Sequence, residues 1–505
     1  MRKLRFKLTA AVCLGIGLSG CSLMRPPAQV EAPIPAQWHA PLPHGGSLAS
    51  LANWWSQLDD PLLVELIAAA EAASPNVASA AARVAEARFT RVQAGAALLP
   101  SLDGTASASR GPVGVSGGSS SGASSGSSGG LSSSTPITTL QAGLQSKWEA
   151  DLFGRLRADR DSAEAKQSSA NAKWHDARVA VAAETANAYF AERACQQQLR
   201  VAEADARSRS ETSRLTDLSA KAGFTAPADA SLARASASDA SARLTQQRAQ
   251  CAVQRKALVA LSGIDETTLE GKLAAAPAQR ALPAVGSIAS VPAEAITQRP
   301  DVYAAELGVA SASADVGSAE AERYPKLTVS GSIGRSQYRV SGMHQSLETW
   351  TVGPISLTVP LLDGGARKAN VDAAKARYAE AVSLYRANVR QAVREVEEAL
   401  VNLDATNTRT ADADAAVKNY QASFDATQAR YSSGLASLFE LEDSRRTLFS
   451  AQTARVTLQR ERTEAWVALY RSMGGGWNRQ SAGAPSSSES TSMTTTPTAK
   501  VATSP

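Results

Sequence analysis

Aromatic residues make up only 5% of this 505-residue chain, which excludes a thick globular core filled by large rings. Histidine and methionine are scarce as well, at four and five residues. His39, His44, His175 and His344 share no metal-ligand spacing with one another or with the cysteines, so no metal site is expected. The same scarcity argues against a dedicated copper or silver conduit, which would favour soft ligands. Past residue 21 no run of about 18 apolar residues occurs, so no transmembrane helix is expected and any membrane crossing must be made of strands. There is no phosphate-binding glycine loop: Gly117 to Gly130 is Ser/Gly low-complexity sequence and does not join a strand to a helix. No serine sits in a G-x-S-x-G elbow. These absences remove the enzyme and cofactor readings. The net charge of +5 is spread along the chain, with no basic arm or patch to suggest nucleic acid.

What is present begins with an export signal. Arg2, Lys3, Arg5 and Lys7 precede an apolar run from Leu8 to Leu18 that is too short to span a bilayer. The run ends in Leu18-Ser19-Gly20-Cys21, small residues before a cysteine, similar to the bacterial lipobox. Residues 1–20 are therefore expected to be a signal peptide and Cys21 the acylated first residue of a segment spanning 21–60. Ser22 follows it, where an Asp would favour inner-membrane retention, so the outer membrane is the expected location.

The strongest pattern is an internal repeat. Pro75-Asn76-Val77 and Pro300-Asp301-Val302 each open a helical stretch, at an offset of 300 − 75 = 225. Further on, Glu184 pairs with Glu395, Gly223 with Gly434 and Gly263 with Gly474, all at 434 − 223 = 211. The difference falls where the first half carries the Ser/Gly run at 117–130. Each half is expected to hold a helix, two strands, a very long helix, a glycine break and a return helix. The first repeat is placed at 61–270, with a helix at 61–98, strands at 101–110 and 138–149 and a long helix at 155–221. After a linker at 271–285 the second spans 286–476, with a helix at 286–323, strands at 326–337 and 349–361 and a long helix at 366–432. Tyr338 to Thr349 is read as the loop between its strands. Residues 477–505 are Ser/Thr/Pro-rich and expected to be disordered.

Leu327, Val329, Gly331 and Ile333 alternate with Thr328, Ser330 and Ser332, and Leu140, Ala142 and Leu144 alternate with Gln141, Gly143 and Gln145. Such period-two segments suit strands with lipid on one side and water on the other. Four strands cannot close a barrel, since the smallest have about eight, and an open sheet edge is forbidden in lipid. One chain must therefore pool its strands with copies of itself. The long helices are Ala-rich and nearly free of Gly and Pro. Each would reach on the order of 100 Å, with small residues allowing close lateral packing.

Several segments together resemble the outer-membrane factors of the TolC/OprM type, in their NodT-family lipoprotein branch. They are Asn53-Trp54-Trp55 with Asp60-Pro61-Leu62, Trp148 to Leu156 (WEADLFGRL), Gln298-Arg299-Pro300-Asp301-Val302, and Pro360-Leu361-Leu362-Asp363-Gly364-Gly365. The resemblance covers about residues 50–476. It implies an α+β membrane protein: a homotrimer with four strands per chain pooled into a twelve-stranded β-barrel, continued by a long α-helical barrel in the periplasm. It implies a passive efflux duct in the outer membrane, docked to a periplasmic adaptor and an inner-membrane pump of the RND type, with Gly223 and Gly434 at the hairpin tips that meet the adaptor. It also implies a gate just after the second glycine break, with Asp443 as the ring aspartate, Arg446 beside it, Glu440 one turn earlier on the same face and Tyr431 as a tether. An arginine that some relatives carry two residues after the glycine is Ala436 here, which puts the closed-state network in doubt. Small organic compounds are the expected cargo. Within the same fold a type I protein-secretion outlet is the alternative, and a non-porous periplasmic scaffold would leave the strands unexplained.

Beside Cys21 the mature chain keeps Cys195 and Cys251, and two such cysteines in an oxidising periplasm are a candidate disulfide. If the chain turns back at Gly223, they stand level, at 223 − 195 = 28 and 251 − 223 = 28 residues from the turn.

Overall fold

The structure, a computed structural model, describes residues 25–34, 60–112, 136–275, 296, 299–340, 343–477 and 479. The expected signal peptide, Cys21, the Ser/Gly run and the end of the tail lie outside the described residues. In chain order the elements are α1 (Pro61–Ala73), α2 (Pro75–Ala96), β1 (Ser101–Pro112), β2 (Pro136–Ala150), α3 (Arg155–Lys221), α4 (Pro227–Ser262), α5 (Glu266–Ala275), α6 (Pro300–Ala321), β3 (Lys326–Val340), β4 (Met343–Thr358), α7 (Ala366–Ser432) and α8 (Leu438–Ser472). The two copies of the repeat match in length: α2 and α6 have 22 residues each, and α3 and α7 have 67 each. The paired glycines Gly154/Gly365, Gly223/Gly434 and Gly263/Gly474 all have positive φ, between 64° and 91° across the glycines flanking these helices. Left-handed backbone there ends or starts a helix at a cost only glycine avoids.

The expected single helix at 61–98 is two. Pro75 opens α2, and Ser74 before it is extended, with ψ 120°. A residue preceding proline is forced out of the helical region, so α1 stops there. The second strand of the second repeat also differs, starting at Met343 rather than 349 and ending at Thr358 rather than 361. Most of the expected loop at 338–349 is paired strand, with only 341–342 between β3 and β4. The apolar alternation that marks the strands is interrupted there, because the face of Ile333 and Trp350 turns polar and charged with Arg335, Gln337, Arg339, His344, Ser346 and Glu348 while Tyr338, Met343 and Leu347 fall on the other face. Likewise β1, β2 and β3 run a few residues past their expected ends. Part of the expected linker at 271–285 is helix α5, which Asp265 caps by accepting from the backbone N–H groups of Thr267 and Thr268 at 3.1 and 3.3 Å. In the second repeat the described helix starts at Pro300, and the expected start at 286 lies outside the described residues. Trp477, assigned to the disordered tail, is buried and packs against Tyr303 with ring centroids 5.5 Å apart.

The chain divides into two compact units. The first holds the sheet and the helix segments nearest it in sequence. Its strands form one antiparallel meander in the order β1-β2-β3-β4. Cross-strand partners share a face, so the register sorts the side chains. Leu102, Leu144, Trp148, Val329, Ile333, Trp350 and Ile355 fall on one face. Asp103, Thr105, Gln141, Gln145, Lys147, Ser330, Ser332 and Thr351 fall on the other. Gly143 and Gly334 oppose each other on that polar face, where a Cβ on Gly143 would lie 2.9 Å from the Ile333 carbonyl oxygen. At the base of the sheet the Trp148 indole donates to the Leu98 carbonyl at 3.0 Å, and Phe153 stacks on Tyr324 at 4.8 Å. Asp151 caps α3 and Asp363 caps α7 through backbone N–H groups of Leu156, Arg157 and Arg367. The segment at 25–27 lies on this unit, with Arg25 paired to Asp161 at 3.1 Å and the Pro27 carbonyl accepting from Tyr378 at 2.9 Å.

The second unit is helical, with a core of Leu62, Leu63, Leu66, Ala182, Ala183, Ala186, Tyr189, Leu258, Leu269, Leu400, Trp466 and Leu469 among others. Alanines on α3 bring its neighbours close. The Asp60-Pro61-Leu62 signature acquires a reason here. One oxygen of Asp60 accepts the N–H groups of Leu62 and Leu63, and the other accepts the Tyr189 hydroxyl at 2.7 Å. Burial, then the bond to Asp60, pushes the Tyr189 phenol up to about 12. Arg299 of the Arg-Pro-Asp signature is likewise buried and forks to Asp301 at 2.7 Å and Glu395 at 2.8 Å while donating to the Ser472 carbonyl. The counterpart of Glu395 in the first repeat, Glu184, is exposed, because Ser74 stands where that repeat would need the arginine. Cys195 of α3 and Cys251 of α4 are joined, S–S 2.04 Å with Cα atoms 5.6 Å apart.

A candidate gate at the helical hairpin tips

Two tight turns close the helical hairpins of the second unit, and they are built alike. After α3 the Phe224 N–H reaches back to the Ser219 carbonyl at 2.9 Å and the Gly223 N–H to Ala220 at 3.1 Å. After α7 the Leu435 N–H reaches Arg430 at 2.8 Å and the Gly434 N–H reaches Tyr431 at 3.0 Å. A six-to-one backbone bond across a left-handed glycine is the Schellman stop, which satisfies the last helix carbonyls within a few residues. The returning helices start as sharply. Pro227 is the first residue of α4, and Ser437 caps α8 by accepting from the Glu440 N–H at 3.1 Å. The turns leave Phe224, Leu435 and Phe439 exposed, at 87%, 71% and 72%.

Among the expected gate residues, Asp443 and Arg446 are ion-paired with each other on the surface of α8, with side chains 48% and 76% exposed. Glu440 does not join them. Its carboxylate accepts from the hydroxyl of the N-cap Ser437 at 3.3 Å and faces Arg430 across the turn at 3.5 Å. Tyr431 shares a hydrogen bond with Thr216 of α3, 3.1 Å between hydroxyl oxygens, and packs on Phe424, Leu441 and Leu448. Gly223 and Gly434 sit at the two turns.

Farther from the tips than Tyr431 lies a buried charge cluster that the sequence reading passed over. Arg209 of α3 donates to Asp205 at 2.9 Å, to Ser236 of α4 at 2.6 Å and to Glu442 of α8. Glu442 also accepts from Ser236 at 2.7 Å and from Arg445. Arg445, only 4% exposed, donates to Thr212 at 3.0 Å and lies over the Phe424 ring, 5.6 Å from its centroid. Burial pulls its guanidinium below the usual arginine range, against the opposing pull of Glu442. Arg243 approaches Asp205 from α4 at 3.5 Å. The cluster therefore ties three helices of two hairpins together. A signal for it exists in the spacing. Asp205, Arg209, Thr212 and Thr216 follow one another at four, three and four residues on α3. Leu438, Leu441, Arg445 and Leu448 do so at three, four and three on α8. That is the spacing of a packed helix seam, with polar residues occupying seam positions.

No group of three or more His, Cys, Asp or Glu that could hold a metal occurs among the described residues, and no described helix is long and apolar enough to cross a membrane.

The family model described as outer membrane efflux protein matches residues 66–264 and 291–475. The solvent efflux pump outer membrane protein SrpC of Pseudomonas putida is 30% identical over 91% of this chain and 96% of its own length. Nodulation protein T of Rhizobium leguminosarum bv. viciae is 29% identical over 94% of each chain. The solved outer-membrane channel OprN superposes with a TM-score of 0.75 at 27% identity, over 89% of this chain and 99% of the channel.

Proposed function

Because the chain belongs to the outer membrane efflux protein family, we propose that it is the outer-membrane outlet of a tripartite efflux pump, a homotrimeric duct gated at its hairpin tips. One observation carries the reading. The protomer presents a four-stranded meander with one apolar and one polar face and unpaired edges at β1 and β4. Unpaired strand edges in hydrocarbon leave several kcal/mol of hydrogen bonding unmade per group, so the edges must meet other copies. Three protomers give a twelve-stranded barrel, with the polar face lining a wet lumen. A relative named as the outer membrane protein of a solvent efflux pump supports small organic cargo, which in this reading an adaptor and an inner-membrane pump supply. The family is one of channels, and no catalytic constellation enters the account.

Within this reading the exposed Phe224, Leu435 and Phe439 are the apolar part of the adaptor contact. Asp443 from three protomers forms a ring around the axis, where like charges repel unless Arg446, cations or protons compensate. The adaptor shifts an existing equilibrium between closed and open tips. Acylated Cys21 anchors the mature N-terminus, and the Cys195–Cys251 bridge staples the first hairpin in the exported protein. Deleting the gene and restoring it on a plasmid tests the whole. Solvent or dye accumulation should rise on deletion and fall on complementation. Unchanged accumulation in both strains would remove the efflux reading. Mass spectrometry of the mature protein should find a triacylated Cys21 as the first residue, and cleavage elsewhere would exclude the anchor.

A further inference from the structure

We infer that the outward end of the sheet's apolar face is a binding surface for the phosphate groups of the outer-leaflet glycolipid, built from Arg110, Arg335 and Arg339 with His344 beside them. The inference rests on the reading of the sheet as part of an outer-membrane barrel.

The register places these residues. Arg110 pairs with Thr138, Thr138 with Arg339, and Arg339 with His344, so one rung crosses all four strands. Two rungs closer to the helices runs Ala106–Ala142–Arg335–Glu348, and the next is Gly104–Leu144–Ile333–Trp350. All three rungs lie on one face, the face that carries Ile333, Trp350 and Ile355, because antiparallel partners point the same way and the faces alternate along each strand. Nearer the helices the opposite face is polar, with Gln145, Lys147, Ser330, Ser332 and Thr351, and beyond Gly331 the β3–β4 register runs without a shift, so the arginines stay on the face of Ile333 and Trp350 and do not line the lumen. They stand on the lipid side.

Depth decides what they meet there. Leu327 is the first apolar residue of β3 on this face. From it to Arg339 is twelve residues, about 30 Å along the membrane normal at ~3.3 Å per residue and a tilt of ~40°. The apolar band of such barrels is about 25 Å tall. The Arg110–Arg339–His344 rung therefore sits just beyond the outer edge of the hydrocarbon, at headgroup level. Arg335, at roughly 20 Å by the same measure, is near the upper edge of the band, and its long stem lets the guanidinium reach upward. The end is the outward one, since it lies at the β1–β2 and β3–β4 hairpins, opposite the ends that continue into α3 and α7.

Charge then selects the occupant. Arg110, Arg335, Arg339 and His344 are all exposed in the protomer. Among the described residues none of the three arginines is ion-paired with a carboxylate. Arg335 makes a long 3.4 Å bond to Ser346, and Glu348 is its only acidic cross-strand partner. Unpaired arginines on a lipid-facing surface are costly at the bilayer midplane and cost little near the interface, where anionic headgroups attract them. The guanidinium fork fits a phosphate with two parallel hydrogen bonds. Arg110 and Arg339 stand two strands apart, about 10 Å, so a headgroup with two phosphates can engage both. In the outward leaflet of an outer membrane that headgroup is the phosphorylated glycolipid.

The test uses the full-length assembly extracted from outer membranes, with native mass spectrometry counting lipid bound per assembly. Three probes are compared: bisphosphorylated lipid A, the same lipid A with its phosphates removed, and phosphatidylglycerol. Wild type should retain the phosphorylated glycolipid at least tenfold more than either other probe. The triple variant R110Q/R335Q/R339Q should lose that preference while keeping stable trimers and wild-type conductance, and R110K/R335K/R339K should recover part of it. If the triple variant does not assemble, R339Q alone is scored, with at least a threefold loss expected. Equal retention of dephosphorylated lipid A or of phosphatidylglycerol by wild type, or unchanged preference in the variant, overturns the inference. Failure of wild type to form trimers at all would instead overturn the duct reading.

Discussion

Removing Glu442 should unfasten the two hairpins from each other. Glu442 accepts from Arg209, Arg445 and Ser236, which belong to α3, α8 and α4. With Asp205 the buried cluster holds two cations and two anions. In Glu442→Ala the two guanidiniums lose their shared partner. Arg209 keeps Asp205, whereas Arg445 keeps only the Thr212 hydroxyl and the Phe424 ring. Taking one partner from a buried pair costs about 3–5 kcal/mol, because a desolvated charge is left behind. At about 1.4 kcal/mol per tenfold, the lower figure raises the population of locally opened tips by roughly 100-fold. Hydrogen exchange followed by mass spectrometry reads this directly in peptides covering 203–218 and 438–450. The double variant Glu442→Leu/Arg445→Leu should recover much of the loss, since an apolar pair of similar volume avoids the uncompensated charge. If exchange in Glu442→Ala stays within threefold of wild type, or the double variant is worse than the single, the cluster is not what holds these helices together.

Three further outcomes follow from the same geometry. Asp443→Ala, more so with Tyr431→Phe, should raise single-channel conductance and weaken block by multivalent cations while export survives; wild-type conductance and block would return Asp443 and Arg446 to an ordinary surface pair. Cys195→Ser/Cys251→Ser should leave efflux intact, because the bridge lies 28 residues from the turn, but lower stability by about 2–4 kcal/mol in denaturant titrations; two free thiols in the exported wild-type protein would exclude the bridge. Tyr189 has its phenol raised from 10 to about 12, so the stability it confers is complete below pH 10 and is lost as pH rises through 12. The two-unit shift corresponds to about 2.7 kcal/mol, and Tyr189→Phe should abolish that part of the alkaline unfolding; an unchanged alkaline transition would refute the role given to the burial of this phenol and its bond to Asp60.

Much of the fold is legible because it is carried by patterns with a period. The long helices at 155–221 and 366–432 have the bounds their lack of Gly and Pro suggests. Their glycine breaks repeat at one offset because each needs left-handed backbone. Bounds that depend on the environment are harder to read. The strand at 343–358 breaks its alternation before Trp350, where Met343 and Leu347 fall on the face opposite Trp350 and His344, Ser346 and Glu348 on its own, and the break at Ser74 follows from a proline inside a pattern that otherwise continues. For the candidate gate, sequence points to the turn at Gly434 and to Asp443, but not to what Glu440 does. Glu440 accepts from the N-cap Ser437 and faces Arg430, a local geometry that helical spacing alone does not distinguish from a shared face with Asp443. The buried cluster was missed for a related reason. Glu442, Arg445, Asp205 and Arg209 look like solvated helix charges until the neighbouring hairpin is packed against them.

The central claim is that sheets from several copies close one pore. Purified protein, unheated and heated, on a detergent gel followed by planar-bilayer recording tests it most directly. The account predicts a heat-labile trimer whose insertion gives discrete conductance steps, larger in Asp443→Ala; a monomer that never conducts, whether wild type or Asp443→Ala, would contradict it.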